Sequence, residues 1–233
     1  MFLDDADRRR FLGGVAELPE RFALEVHAFV LMPNHYHLLV RTREANLSQA
    51  IHWLNVSNAV KFNWAHRCRG TVFQGRFKGV LIQEEGKAVE VARYVHLNPV
   101  RVGGLGLGKS DQRRARVLGC ENPGEELVRR RLQTLREHPW NSWRVYMGLE
   151  PNAGWLETGV IGRACGGRSR TERRAALRTY TEQPIRQGGL ESPWEGVVAG
   201  VVLGDGEYAR KLLSGRAVNE EEQTAARRMR RRS

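Results

Sequence analysis

Two histidines one residue apart, His35 and His37, offer the first spacing in this chain that could do chemistry. Side chains alternate along a strand, so both imidazoles would share one face, roughly 7 Å apart, with Tyr36 on the other. Neutral imidazoles at that separation can converge on one divalent ion. A second pair lies further along, Tyr94 and Asn98. Four residues apart on a helix, they occupy one face a turn from each other. If that helix crosses the histidine face, two imidazoles, a phenol and an amide oxygen could surround a single cation. Oxygen and nitrogen donors without thiolate suit Mg²⁺ or Mn²⁺. Each residue also has a plainer reading. The histidines could be surface residues of an open sheet, Tyr94 a packed helix residue, and Asn98 a C-terminal cap before Pro99.

The elements that must position these residues read as follows. Residues 4–20 form a helix with Phe11, Val15 and Leu18 as its apolar stripe. Residues 22–31 are β-branched and aromatic and read as a strand, which Met32-Pro33-Asn34 breaks. Residues 35–41 read as a second strand, making a hairpin. A helix is predicted over 47–65, a strand over 77–83, and a helix over 86–98 that Pro99 ends. The order α-β-β-α-β-α, preceded by one more strand, would be the βαββαβ ferredoxin-like plan. The expected fold class is α+β: a ferredoxin-like antiparallel sheet with helices on one face, lacking its first strand, plus a C-terminal helical extension. The expected division is a core over 1–101, an insertion over 102–139 with a helix near 125–137, an aromatic segment over 140–165 docking on the core, and a basic helical module and tail over 166–233. Helices within that module are expected over 168–180, 194–203 and 205–213.

Charge points to a partner. The 233 residues carry 38 Lys and Arg against 26 Asp and Glu, a net charge of +12, and most of the basic residues are arginine. The planar guanidinium fork matches phosphate oxygens and so points towards nucleic acid, while a merely basic surface is an equally open reading of charge alone. Arg67, Arg69, Arg76 and Lys78, with Phe73 and Phe77 among them, surround the loop before the predicted third strand. The arginines could grip backbone phosphates; the two aromatics could stack on bases or equally anchor the core. Trp140 and Trp143 read as packing residues, and His27, His52, His66, His96 and His138 as structural. No apolar run approaches the ~20 residues of a membrane helix, and the charged start is unlike a signal peptide. Three scattered cysteines, without CxxC spacing, fit a reducing cytoplasm.

The residues from Ala28 to Val40, Ala-Phe-Val-Leu-Met-Pro-Asn-His-Tyr-His-Leu-Leu-Val, closely resemble the signature of the REP-associated tyrosine transposases, a branch of the single-tyrosine HUH transposases of small insertion sequences. Phe2-Leu3-Asp4-Asp5, Phe73-Gln74-Gly75-Arg76-Phe77-Lys78 and Arg93-Tyr94-Val95-His96-Leu97-Asn98-Pro99-Val100-Arg101 match the same family, and the likeness resumes over 140–155. The resemblance implies that His35, His37 and Asn98 hold a divalent metal, Mg²⁺ or Mn²⁺, and that Tyr94 is the nucleophile. It implies cleavage and rejoining of single-stranded DNA next to hairpins through a 5′-phosphotyrosine. Arg67, Arg69, Arg76, Lys78 and Arg101 are then the expected DNA contacts. The expected setting is cytoplasmic and nucleoid-associated, without membrane, and a homodimer is the oligomeric expectation.

Two features depart from that pattern. The family's first strand, often ending Arg-Gly-Asn, is absent before Phe2-Leu3-Asp4-Asp5, which points to a misplaced start or a decayed copy and predicts unsatisfied ladder groups or an open sheet edge. Residues 103–139 exceed a short link. A catalytically impaired DNA-binding descendant is therefore the main rival reading. A metal-dependent phosphodiesterase using Glu84 or Glu85 beside the histidines ranks third.

Overall fold

A computed structural model describes residues 1–83, 85–118, 123–188, 192–198 and 202–203, with isolated positions at 207, 210 and 214. Helix α1 (Asp5–Phe22) starts where the Asp4 side chain accepts a hydrogen bond from the Asp7 amide, with Asp5 and Asp7 in the electropositive first turn. Phe11, Val15 and Leu18 of its inner stripe are fully buried. Strand β1 (Leu24–Leu31) and strand β2 (Tyr36–Thr42) form the antiparallel hairpin, pairing Val30 with His37 and Leu31 with Tyr36. The Met32 amide closes the turn on the His35 carbonyl at 2.9 Å.

Helix α2 (Leu47–Ala65) matches its predicted span and packs on α1. A Cβ on Gly14 would come within 2.9 Å of Leu54 Cδ1, so glycine permits that close crossing. Tyr36 points into this layer, its ring 4.7 Å from Phe11 and its hydroxyl donating to Asn55 Oδ1 at 2.9 Å. Helices α1 and α2 thus cover one face, as expected, whereas helix α3 (Glu85–Leu97) crosses the opposite face, which His37 shares.

The hairpin is the whole of this sheet, and no further strand pairs with β2 among the described residues. The outer edge of β1 is nevertheless closed. The Leu31 amide donates to the Trp140 carbonyl at 2.9 Å, the Ser142 amide to Phe29 at 3.0 Å, and the Glu157 amide to Val26 at 2.8 Å. The Ser142 hydroxyl meets the Phe29 amide, and the Tyr146 hydroxyl donates to the His27 carbonyl at 2.8 Å. Residues 138–157 supply these partners without being a regular strand, whereas the edge expected to lie open, beside the histidine-bearing β2, has no further strand among the described residues. Covered on both faces and both edges, β1 is buried at seven of its eight positions, which explains its unbroken apolar run.

The third predicted strand shortens to β3 (Leu81–Ile82), and it does not join the hairpin. It pairs in parallel with β5 (Val202–Leu203), which pairs antiparallel with β4 (Val197–Val198). The helix expected over 194–203 is thereby corrected. Residues 193–196 make one tight 3₁₀ turn, and the β-branched Val197, Val198 and Val202 prefer extended pairing. Further helices are α4 (Lys109–Leu118), α5 (Glu125–Glu137), α6 (Trp143–Tyr146), α7 (Gly159–Ala164) and α8 (Arg170–Gln187). Helix α4 was not foreseen, α5 falls where expected, and α8 runs past the predicted 168–180. The expected helix over 205–213 and basic tail lie largely outside the described residues. No described helix is long and apolar enough to cross a membrane.

Candidate active site

Strand alternation separates the two sides of the His-Tyr-His triplet. Tyr36 enters the α1–α2 layer, while His35 and His37 emerge together, their ring centroids 5.1 Å apart. Helix α3 lies across them, and Tyr94 meets His37 edge to face at 5.8 Å. Two further groups box the Tyr94 ring: Trp194 at 5.0 Å and the Arg101 guanidinium at 4.4 Å. Tyr94 itself is only 8% exposed.

Helix α3 is held in place from its far side. His96 is fully buried, its Nε2 sharing a 3.0 Å hydrogen bond with Ser142 Oγ, and the Asn141 amide donates to the His96 carbonyl at 2.8 Å. Because Ser142 also bonds Phe29 of β1, one hydroxyl ties the tyrosine helix to that strand. Burial pushes the His96 imidazole down to about 3, so it is neutral and structural.

His37 has the electronic state a cation would need. Burial, aided by the nearby His35 and Arg101, pushes His37 down to about 4, leaving a neutral ring at physiological pH. His35 Nδ1 lies 2.7 Å from Asn34 Oδ1; with that oxygen as acceptor, Nδ1 holds the proton and Nε2 the lone pair. Asn98 is buried one turn beyond Tyr94, its Nδ2 donating to the Tyr94 carbonyl at 2.9 Å and weakly to Val95. It therefore caps α3, and its amide oxygen remains as the atom that could face a cation. Imidazole nitrogens and an amide oxygen are donors that a divalent ion accepts.

Arg101 stands out for a different reason. Its Nη1 is buried and has no hydrogen-bond partner among the described residues. A buried guanidinium nitrogen left unpaired beside a tyrosine marks a place for an anion. Arg67, Arg69, Arg76 and Lys78 are all exposed in the segment between α2 and β3, with no acidic partner among the described residues. Phe73 packs against Tyr36 at 6.3 Å, a supporting role, while Phe77 is 36% exposed. Trp143 is buried and Trp140 packs on the core, as packing residues should. The carboxylates of the phosphodiesterase reading, Glu84 and Glu85, lie outside the described side chains.

A second grouping, Asp4, Asp7 and His66, brings three ligand-type atoms within 4.8 Å of one another. Their bonds are already directed inward. Asp7 accepts from the Leu3 amide, Arg10 and His66, and Asp4 caps α1, so the cluster ties α1 to α2. Sequence reading missed Trp194 as a neighbour of Tyr94. Nothing local signals that contact, which spans a hundred residues of chain.

A family profile described as "Transposase IS200 like" matches residues 1–98. No curated protein and no solved structure gives a match. The matched region holds α1, the hairpin, α2 and α3, and therefore His35, His37, Tyr94 and Asn98 together. Transposases act on DNA and cleave it, which agrees with the net charge of +12. Residues 1–98, with these side chains among them, are thus similar to the IS200-like transposases.

Proposed function

We propose that this protein is a REP-associated tyrosine transposase that cleaves and rejoins single-stranded DNA beside small hairpins, using Tyr94 as nucleophile. The observation that supports the reading best is the packing of the Tyr94 ring against His37 and under Arg101. His35, His37 and Asn98 would hold a divalent cation. That cation, when bound, polarises the scissile phosphate and offsets the charge gained in the transition state.

The chain's own residues do the rest. Tyr94 Oη attacks phosphorus, the P–O3′ bond breaks, the phenolic proton passes to solvent, and the departing 3′ oxygen takes up a proton. The 5′-phosphate stays on the tyrosine. Attack by a 3′-hydroxyl then reverses the step and releases the phenol, so no nucleotide cofactor is consumed. Arg101 Nη1 finds in a non-bridging phosphate oxygen the partner it otherwise lacks. The enclosure of Tyr94 by Trp194 and His37 limits water near the phosphotyrosine and favours rejoining over hydrolysis. Asn98 orients the end of α3 through its bond to the Tyr94 carbonyl.

Incubation with a labelled single-stranded hairpin and Mn²⁺ tests the reading. A denaturation-resistant protein–DNA adduct, abolished in Tyr94→Phe, is the expected result. Binding without an adduct would replace the enzyme by a DNA-binding descendant, and cleavage that survives Tyr94→Phe would point to a phosphodiesterase.

A further inference from the structure

Trp64 is 85% exposed at the last turn of α2, although a tryptophan contributes one of the largest apolar surfaces a chain can bury. It borders an open cleft of about 590 Å³ lined by Asn63, Ala65, Arg67, Cys68 and Arg69. Both arginines are exposed and have no acidic partner among the described residues. An aromatic plate flanked by two uncommitted guanidinium groups is the combination that holds an unpaired nucleotide, the ring stacking on the base and the arginines meeting the phosphates.

The backbone below the cleft is built rather than loose. The Cys68 amide donates to the Asn63 carbonyl at 3.0 Å, and the Arg67 amide reaches the Trp64 carbonyl at 3.4 Å. This is the helix-ending arrangement in which the residue after the cap takes a left-handed conformation, a position that favours glycine. Here that residue is Arg67, at φ 50°. The Asn63 side chain bonds the Gly70 carbonyl and accepts from Cys68 Sγ, bracing the turn from within. Arginine at such a position carries a backbone cost that glycine would not.

The cleft also lies at the right end of the molecule. His66 bonds Asp7 in the first turn of α1, and the Phe2 amide reaches the Pro33 carbonyl at 3.4 Å, two residues before His35. The end of α2, the start of α1 and the hairpin turn therefore form one end of the core. A strand resting on Trp64 would pass round that end to reach His35 and His37 on the other face.

We infer that Trp64, Arg67 and Arg69 form a single-stranded DNA subsite that holds unpaired nucleotides flanking the cleavage position. The inference rests on the DNA-acting reading above. Val56 and Val60 continue an exposed apolar stripe towards Trp64, which would otherwise suit a second copy of the chain. Symmetric pairing on this patch would bring Arg67 and Arg69 close to their own copies, so a polyanion fits better than a like-charged surface.

The test compares Trp64→Ala and Arg67→Gly with the wild-type chain, using a short fluorescein-labelled oligothymidylate for affinity and the hairpin adduct assay in parallel. Trp64→Ala should weaken binding on the order of tenfold, with Trp64→Phe largely restoring it. Arg67→Gly should lower affinity and reduce the salt slope by about 0.7, while its thermal midpoint holds or rises because glycine suits the left-handed position. Wild-type adduct formation with unchanged oligothymidylate binding in both variants would overturn this inference alone. Failure of the wild-type chain to bind single-stranded DNA would overturn it together with the transposase reading. Unchanged binding with a dimer lost in Trp64→Ala on sedimentation would overturn it in favour of a self-association surface.

Discussion

The two faces of the β1–β2 hairpin each hold a tyrosine, and they use it in opposite ways. On the α1–α2 face, Tyr36 is wedged against Phe11 and hydrogen-bonded to Asn55, and burial pushes its hydroxyl up to about 12. That group is spent on packing. On the α3 face, Tyr94 is surrounded by His37, Trp194 and Arg101, and one guanidinium nitrogen beside it has no partner among the described residues. The lesson is that low exposure alone does not separate a core residue from the nucleophile proposed above. What separates them is whether the neighbouring polar atoms are satisfied.

The most severe way to break the contrast is to remove each hydroxyl. Tyr94→Phe is expected to abolish the covalent DNA adduct while leaving the circular dichroism spectrum unchanged, whereas Tyr36→Phe should retain the adduct. Next in size, His37→Ala should weaken Mn²⁺ binding in calorimetry by more than the roughly 10–100-fold typical of outer-shell changes. Chelation should remove wild-type adduct formation, and added Mn²⁺ should restore it.

Acid should sharpen the contrast further. His37 and His96, both on the α3 side, are lowered in the folded state to about 4 and about 3. The unfolded chain therefore binds more protons below about pH 6.5, the ordinary histidine value. In metal-free protein, stability is full above that pH and is lost as pH falls towards 4 and then 3, by on the order of a few kcal/mol. Denaturant midpoints measured between neutral and acid pH check this, and a flat profile would contradict the burial of both rings.

Smaller effects probe the supports. Ser142→Ala should cost about 1–3 kcal/mol in urea unfolding, because His96 and the Phe29 amide lose their shared partner. It should also slow adduct formation by loosening α3. Tyr36→Phe should cost only about 0.5–1.5 kcal/mol, the net value of one hydrogen bond, with no effect on the adduct.

How much of this was legible differs by element. The hairpin was readable because Pro33 and Asn34 interrupt two apolar strands, and α2 because its pattern runs unbroken from Leu47 to Ala65. His35 and His37 shared a face by strand alternation alone, and Tyr94 and Asn98 by helical spacing. The short β3 was over-read, since its apolar residues find Val202 and Leu203 rather than the hairpin. The 3₁₀ turn at 193–196 and its strands were mistaken for a helix because valine runs do not declare their partners.

The order of residues by itself determined the local periodicities, the pairing of two imidazoles on one strand and of a phenol with an amide on one helix, and the excess of arginine. Those properties depend on neighbours only a few positions apart. Tertiary structure alone decided that residues 138–157 close the free edge of β1, that Trp194 and Arg101 enclose Tyr94, and that Trp64 is left in solvent. Such contacts join distant, unpatterned stretches, and they form because buried amides need partners and apolar rings leave water wherever the folded chain brings them together.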